Sequence, residues 1–319
     1  MPRALSLILL SVVASTMVAC SWLPGGARTA PKVDDPFSGG YPTFRDEATG
    51  ITAILGTPDL GVGTFRVALS LNDRDGLIRF PAVTFESVRP KSGASDLPLQ
   101  VANAAFSPFP DGIRGLYTAT MTFDQPGTWT INVLVPRPDG RNGRIALPVT
   151  IAERASAPVV GAAAPKSKNR TAKEVPSLDR LTSGSTPDPA LYQHRIADSL
   201  DARRPVVVVF TSPAFCTTPL CGPQVEEASE LVKRYGDRAD FVHIDLFENP
   251  HEIKGDLRSA KRSPLLKEWG LHTDQWTFVI DANGIIAGRF EAFVPRRELE
   301  ASIQSALDVS GRGRSSCRE

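Results

Sequence analysis

The chain has 319 residues, and 36 Lys+Arg against 35 Asp+Glu leave a net charge of +1, a balance that creates no long-range field and argues against a nucleic-acid partner held through its phosphates. A composition of 41% hydrophobic and 22% charged residues excludes a wholly disordered chain, and the single long apolar run, at the N-terminus, excludes a polytopic membrane protein. Four Cys are too few for a disulfide-built scaffold, and the length predicts about two domains.

The chain opens MPRALSLILLSVVASTMVAC. Arg3 is followed by an apolar stretch from Ala4 to Ala19, sixteen residues, short of the roughly 20 that span a bilayer. A short positive region, an apolar region and small residues before Cys20 form a secretory signal over residues 1–19. Met17-Val18-Ala19-Cys20 resembles a bacterial lipobox, with Met17 where Leu is usual. The resemblance implies that the Cys20 thiol is lipidated, palmitate-type acylation included, and becomes the mature N-terminus. The alternative is a plain signal peptide cut at a small residue, or an uncleaved anchor. Residues 20–49 are rich in Gly, Pro and Ser and read as a flexible tether. Acyl chains bury about 0.8 kcal/mol per methylene, so two or three would hold the protein on the outer face of the cell membrane. That compartment can be oxidising, which raises the expectation for disulfides.

Residues 50–152 have an all-β texture. Phe65, Val67, Leu69 and Leu71 alternate with Arg66, Ala68 and Ser70, the period of a half-buried strand. Asn72–Gly76 is a turn, and Ala82–Val88, Gly115–Phe123, Thr128–Val135 and Arg144–Ile151 are further strands. Short strands between turn signals predict an antiparallel sandwich. In GLYTATMTFDQPGTWTINVLV, the residues Gly115, Tyr117, Phe123, Gly127 and Trp129 resemble the G-x-Y … F … G-x-W spacing of YtkA-like immunoglobulin-type domains. The aromatics are expected to point inward. The segment has no Cys and no His, and so lacks the two commonest soft-metal ligands; a spacer role is its plainest reading.

Residues 153–189 are rich in Ala, Pro, Ser and Lys and read as a linker. Its VGAAAP resembles the V-G-x-x-A-P opening of membrane-tethered thioredoxin-like proteins, which implies that part of the linker packs on the C-terminal domain. Over residues 190–309, strands and helices alternate. Pro205–Phe210 is a β-branched run suited to a strand buried on both faces. Val225, Ala228, Val232 and Tyr235 mark an amphipathic helix with acids early, bases late and Gly236 at its end. Phe241–Asp245 is a strand and Pro264–Trp269 a short helix. Trp276–Ile280 and Ile285–Phe290 form a hairpin around Asp281–Gly284, and Leu299, Ile303, Ala306 and Leu307 stripe a last helix. VVVVFTSPAFC resembles the strand leading into a thioredoxin active site, and WTFVIDANGIIAGRF the hairpin of that family. The expected fold class is therefore two domains, an all-β immunoglobulin-like sandwich followed by an α/β thioredoxin-like domain, with a disordered tail over 310–319.

The chemistry centres on Cys216-Thr217-Thr218-Pro219-Leu220-Cys221-Gly222-Pro223. Two cysteines at a helix start can close a small-loop disulfide, and the free helix N–H groups favour a thiolate there. Thr218 could cap the helix with Pro219 at its first position, or the helix begins only after Gly222-Pro223, the version Pro223 favours. The spacing is C-x4-C, where the resembled family has C-x2-C. Either Cys216 holds the first position, which its distance from Phe210 favours, or Cys221-Gly222-Pro223-Gln224 is a CGPC whose second Cys became Gln. The family's Pro before the hairpin is missing from His272–Thr277, and its buried acid is Val209 here.

Three functions compete. The first is thiol–disulfide exchange with extracytoplasmic thiol or disulfide proteins, one of Cys216 and Cys221 attacking and the other resolving. No cofactor is needed. The second is a non-catalytic structural or interaction domain whose Cys216–Cys221 bond is worth only about 2 kcal/mol. The third is copper handling: SCO-type proteins use C-x3-C and a His before the hairpin, and His272 lies close to that place, so Cys216, Cys221 and His272 would bind copper. His243 is expected to be a satisfied strand histidine and His251 to lie in a solvated insert. Cys317 is the odd thiol out, and Trp276 is core packing. No phosphate loop, zinc motif or Ser/His/Asp arrangement is found.

Overall fold

The computed structural model describes residues 41–89, 98–137, 142–216, 218, 220 and 223–315. The leader with Cys20, and Cys221 and Cys317, lie outside the described residues. Nine strands come first: β1 (Thr43–Asp46), β2 (Ile51–Leu55), β3 (Gly63–Asp73), β4 (Gly76–Leu77), β5 (Ala82–Val88), β6 (Gln100–Pro108), β7 (Gly115–Phe123), β8 (Gly127–Pro136) and β9 (Asn142–Ile151). They form one antiparallel sheet in the order β1-β2-β3-β7-β6-β5-β8-β9, with β4 paired to β3. β9 returns alongside β1 and β2, so the sheet is nearly closed and barrel-like. Alternation explains its core. Phe65, Val67, Leu69 and Leu71 of β3, Val83 and Phe85 of β5, and Ile145, Leu147, Val149 and Ile151 of β9 all turn to the inside. Phe123 meets Trp129 edge-on at 5.2 Å, and Tyr117 Oη donates to the carbonyls of Ile78 and Phe80.

A second sheet has the order β11-β10-β12-β13, where β10 is Val206–Phe210, β11 Asp240–Ile244, β12 Trp276–Ile280 and β13 Ile286–Glu291. β10 and β11 are parallel, and the other pairs antiparallel. Every residue of β10, β11 and β12 is buried. Helices α1 (Ile196–Asp201), α2 (Gln224–Tyr235), α3 (Pro250–Ile253), α4 (Pro264–Glu268) and α5 (Arg296–Ser315) accompany it. Val207, Val209 and Val279 pack with Ala228 and Leu231 of α2 and with Leu299 and Ile303 of α5. Val206, Val208, Phe210 and Phe278 pack on the other face with Ile196, Leu266 and Trp269.

The expected fold class is overturned. An immunoglobulin-like sandwich needs two facing sheets, whereas the first strands run in a single hydrogen-bonded path that curls toward closure. Alternation is the same in a sandwich and a barrel, and so cannot choose between them. Nor is there a separate thioredoxin-like α/β domain: Pro36–Glu319 is one compact, mostly β unit, and the four-stranded sheet is an integral layer of it. Within residues 153–189, residues 161–164 run along the edge of β13, through bonds from Gly161 N to Ile286 O, Ile286 N to Ala162 O and Ala164 N to Gly284 O. Further on, Trp269 Nε1 donates to Ser167 Oγ at 2.8 Å.

The two sheets meet through a buried polar knot. Asp59, between β2 and β3, takes a 2.7 Å ion pair from Arg289 of β13. The guanidinium lies 5.3 Å from the Phe65 ring and 4.8 Å from that of Trp276. The same carboxylate accepts the backbone N–H groups of Ser156 and Ala157, at 2.8 and 2.9 Å. Arg66 of β3 reaches Glu298 and the carbonyls of Glu291 and Phe293. Removing one partner of a buried pair strands the other charge, which costs about 3–5 kcal/mol. Asp59→Ala should therefore lower unfolding stability by about that amount in urea titration; a loss below about 1 kcal/mol would show the pair to be dispensable.

Candidate thiol site

β10 delivers the chain to the site. Past Phe210, Thr211 N still bonds to Ile244 O. The chain then turns, with Ser212 O accepting from Phe215 N at 3.1 Å and Cys216 N at 2.8 Å. Ser183 buttresses this turn. Its hydroxyl accepts from Ala214 N at 3.2 Å, lies 3.0 Å from Ser212 Oγ and donates to Asp245 Oδ2 at 2.8 Å. The Phe215 ring stands edge-on to Phe247.

Cys216 is half-buried and disulfide-bonded. Its expected partner Cys221 lies outside the described residues, as do Cys20 and Cys317. Cys216 Sγ is 3.8 Å from the carbonyl oxygen of Asp274, in the loop before β12. His272 is two residues away in that loop, and its side chain is exposed. α2 begins at Gln224, after Pro223, so Thr218 does not cap it. Gln224 is buried, and its Oε1 accepts from Val294 N at 2.9 Å.

Leu220, beyond Cys216, is packed on the barrel. Leu220 is 0% exposed, in a cluster with Tyr41, Ala68, Phe109, Leu116, Ala292 and Phe293. Gly56 eases the close approach: a Cβ there would lie a tight 3.2 Å from the Ala292 Cβ and from the Ala68 carbonyl oxygen, and in ordinary contact, 3.5 Å, with Leu220 Cδ1. A cleft of about 250 Å³ opens beside the turn, lined by Ser183, Ser185, Asp188, Pro213, Ala214 and Glu226 among others.

Behind the Asp274 loop sits a buried acid. Glu291, 1% exposed, accepts from Thr273 Oγ1 at 2.7 Å and from Asp59 N at 3.1 Å. Burial pushes its pKa up to about 8; Arg289 opposes the rise, the Asp59 charge adds to it, and the two hydrogen bonds oppose it. Burial also raises Asp274, against the pull of Arg262. It raises Tyr41 well above the usual phenol value too, with help from the charges of Glu291 and Asp274.

His243 is indeed a core histidine. A carbonyl only accepts, so Nε2–H donates to Thr211 O and Nδ1 accepts from Tyr192 Oη. Burial holds it neutral by pushing its pKa down. The insert around His251 is not a free loop. Asn249 bonds Ser259 O and Lys261 N, and Pro250 and Ile253 are buried. Trp276 is fully buried, as expected. Among the described residues no group of three His, Cys, Asp or Glu side chains could hold a metal ion.

Sequence reasoning missed Leu220, Tyr41, Asp59 and Glu291. The available signals were Arg289 inside the strand expected over Ile285–Phe290, Glu291 just past it, and Leu220 as the one aliphatic residue between the two cysteines.

No family model matches the chain, and no curated protein matches it. A solved structure, described as a thiol:disulfide interchange protein, thioredoxin family, from Chlorobium tepidum TLS, matches with 19% identity over 35% of this chain and 84% of its own. The TM-score is 0.28, which carries neither fold nor activity across.

Glu291 gives a pH prediction. Its folded pKa lies above its unfolded value, so between about pH 4.5 and 8 the folded state holds more protons. Stability conferred by the neutral acid is full below that window and declines as pH rises through it. Denaturant midpoints should fall from pH 5 to 8, and Glu291→Gln should flatten the decline. An equally steep decline in the variant would assign it to other groups.

Proposed function

We propose that the protein performs thiol–disulfide exchange on the outer face of a membrane, with Cys216 and Cys221 as the exchanging pair and lipidated Cys20 as the anchor. The observation that carries this is Cys216 itself: a half-buried disulfide sulfur at the end of a buttressed turn after β10, whose Pro213 and Ala214 line a cleft. In the oxidised protein a partner thiolate attacks one sulfur, the bond between the two cysteines breaks, and a mixed disulfide forms. A second thiolate of the partner then attacks that mixed disulfide. Two electrons pass to the protein, which leaves as the dithiol while the partner leaves as the disulfide. The reverse sequence oxidises the protein.

A structural role for the bond is the second reading, favoured by the complete burial of Leu220 in the same loop. A structural disulfide has a potential below about −300 mV, whereas an exchanging one lies nearer the glutathione range. Full-length protein equilibrated in glutathione buffers, alkylated and weighed by mass spectrometry should give a midpoint above about −300 mV. A lower midpoint, or peptide mapping that pairs Cys216 with a cysteine other than Cys221, would reject exchange. Cys20→Ser should move the protein from the membrane fraction to the soluble one; unchanged fractionation would reject the lipid anchor.

A further inference from the structure

We infer that the barrel is a working part of the thiol site: by seating Leu220, its outer surface sets how readily the Cys216 disulfide is reduced. The inference rests on the exchange reading for the identity of the pair.

Leu220 does not pack with its own sheet's core. Its neighbours are Ala68 of β3, Leu116 of β7, Phe109 just past β6 and Tyr41 just before β1, together with Ala292 and Phe293 from the end of β13. Ala68 and Leu116 face outward from the barrel, on the opposite side of their strands from Val67, Leu69 and Tyr117, which line its interior. In a barrel that served only itself, these positions would be solvated. Here they are fully buried, and the Phe109 and Phe293 rings close over the contact with centroids 4.4 Å apart. The leucine is four residues from Cys216 and next in the chain to Cys221. This seat holds Leu220 in place while Cys216 is disulfide-bonded.

Reduction releases the constraint that holds the loop short. The seat then opposes reduction by whatever packing free energy the open loop would lose. The same coupling must run in both directions. Packing of the barrel favours the disulfide, and the disulfide favours packing of the barrel.

Two variants of the full-length chain test this from opposite sides of the contact. In glutathione buffers, Leu220→Ala and Phe109→Ala should each make the bond at least tenfold easier to reduce, a shift of about 30 mV toward less negative potential. Near-ultraviolet circular dichroism reports whether each variant keeps its packing, and Phe109→Leu is read in place of Phe109→Ala should the latter not fold. Both midpoints staying within twofold of the parent would overturn the inference. A shift in Leu220→Ala alone would also overturn it, because the effect would then belong to the loop and not to the barrel. If Cys216 maps to a partner other than Cys221, the exchange reading fails, while the two midpoints still decide whether the barrel controls the bond.

Discussion

The guanidinium of Arg289 makes one body out of two sheets. It belongs to β13, yet its ion-pair partner, Asp59, comes from the barrel, and the rings of Phe65 and Trp276 on either side come one from each sheet. A charge in such a place depends on its counter-ion, and Arg289 meets Asp59 through Nη2 alone, its Nε being buried without a hydrogen-bond partner among the described residues. Asp59 also accepts from Ser156 and Ala157, so one carboxylate ties together the barrel, the hairpin and the start of the connecting segment. Glu291 lies beside it, and the Asp274 loop that faces Cys216 leans on Glu291 through Thr273. The position of the thiol site is thus inherited from an ion pair outside it.

Much of the local structure was legible in the sequence. Ala82–Val88 and Gly115–Phe123 are strands with those bounds, because their residues alternate and turn residues flank them. The β-branched run at Val206–Phe210 is buried on both faces, as its composition requires. The architecture was not legible, for definite reasons. β6 alternates poorly and carries Asn, Ala and Ser, so nothing announced the strand that joins β7 to β5 and makes a single sheet. β1 and β2 lie in a stretch read as tether and domain start, yet they bring the sheet round to β9.

The site was legible in part. The two cysteines stand out by residue type and spacing, and Cys216 lies where β10 delivers it. What periodicity cannot express is contact between distant segments. Leu220 and Ala68 meet only because two sheets dock, and Asp59 is an ordinary loop acid until Arg289 reaches it. Residues whose role depends on a partner more than 150 positions away carry no local mark of it. The charged pair inside β13 was the nearest thing to a warning, since strands buried on both faces rarely carry Arg and Glu without a use for them.

The bonds that Ser156 and Ala157 give to Asp59 have a mechanical consequence. A connection clamped at its first residues cannot swing, so barrel and cysteine-bearing layer must travel as a single load. A docking molecule would therefore meet one fixed pose of the sulfur relative to the barrel wall. Any reorientation would have to come from tumbling of the whole particle, not from flexing at its waist.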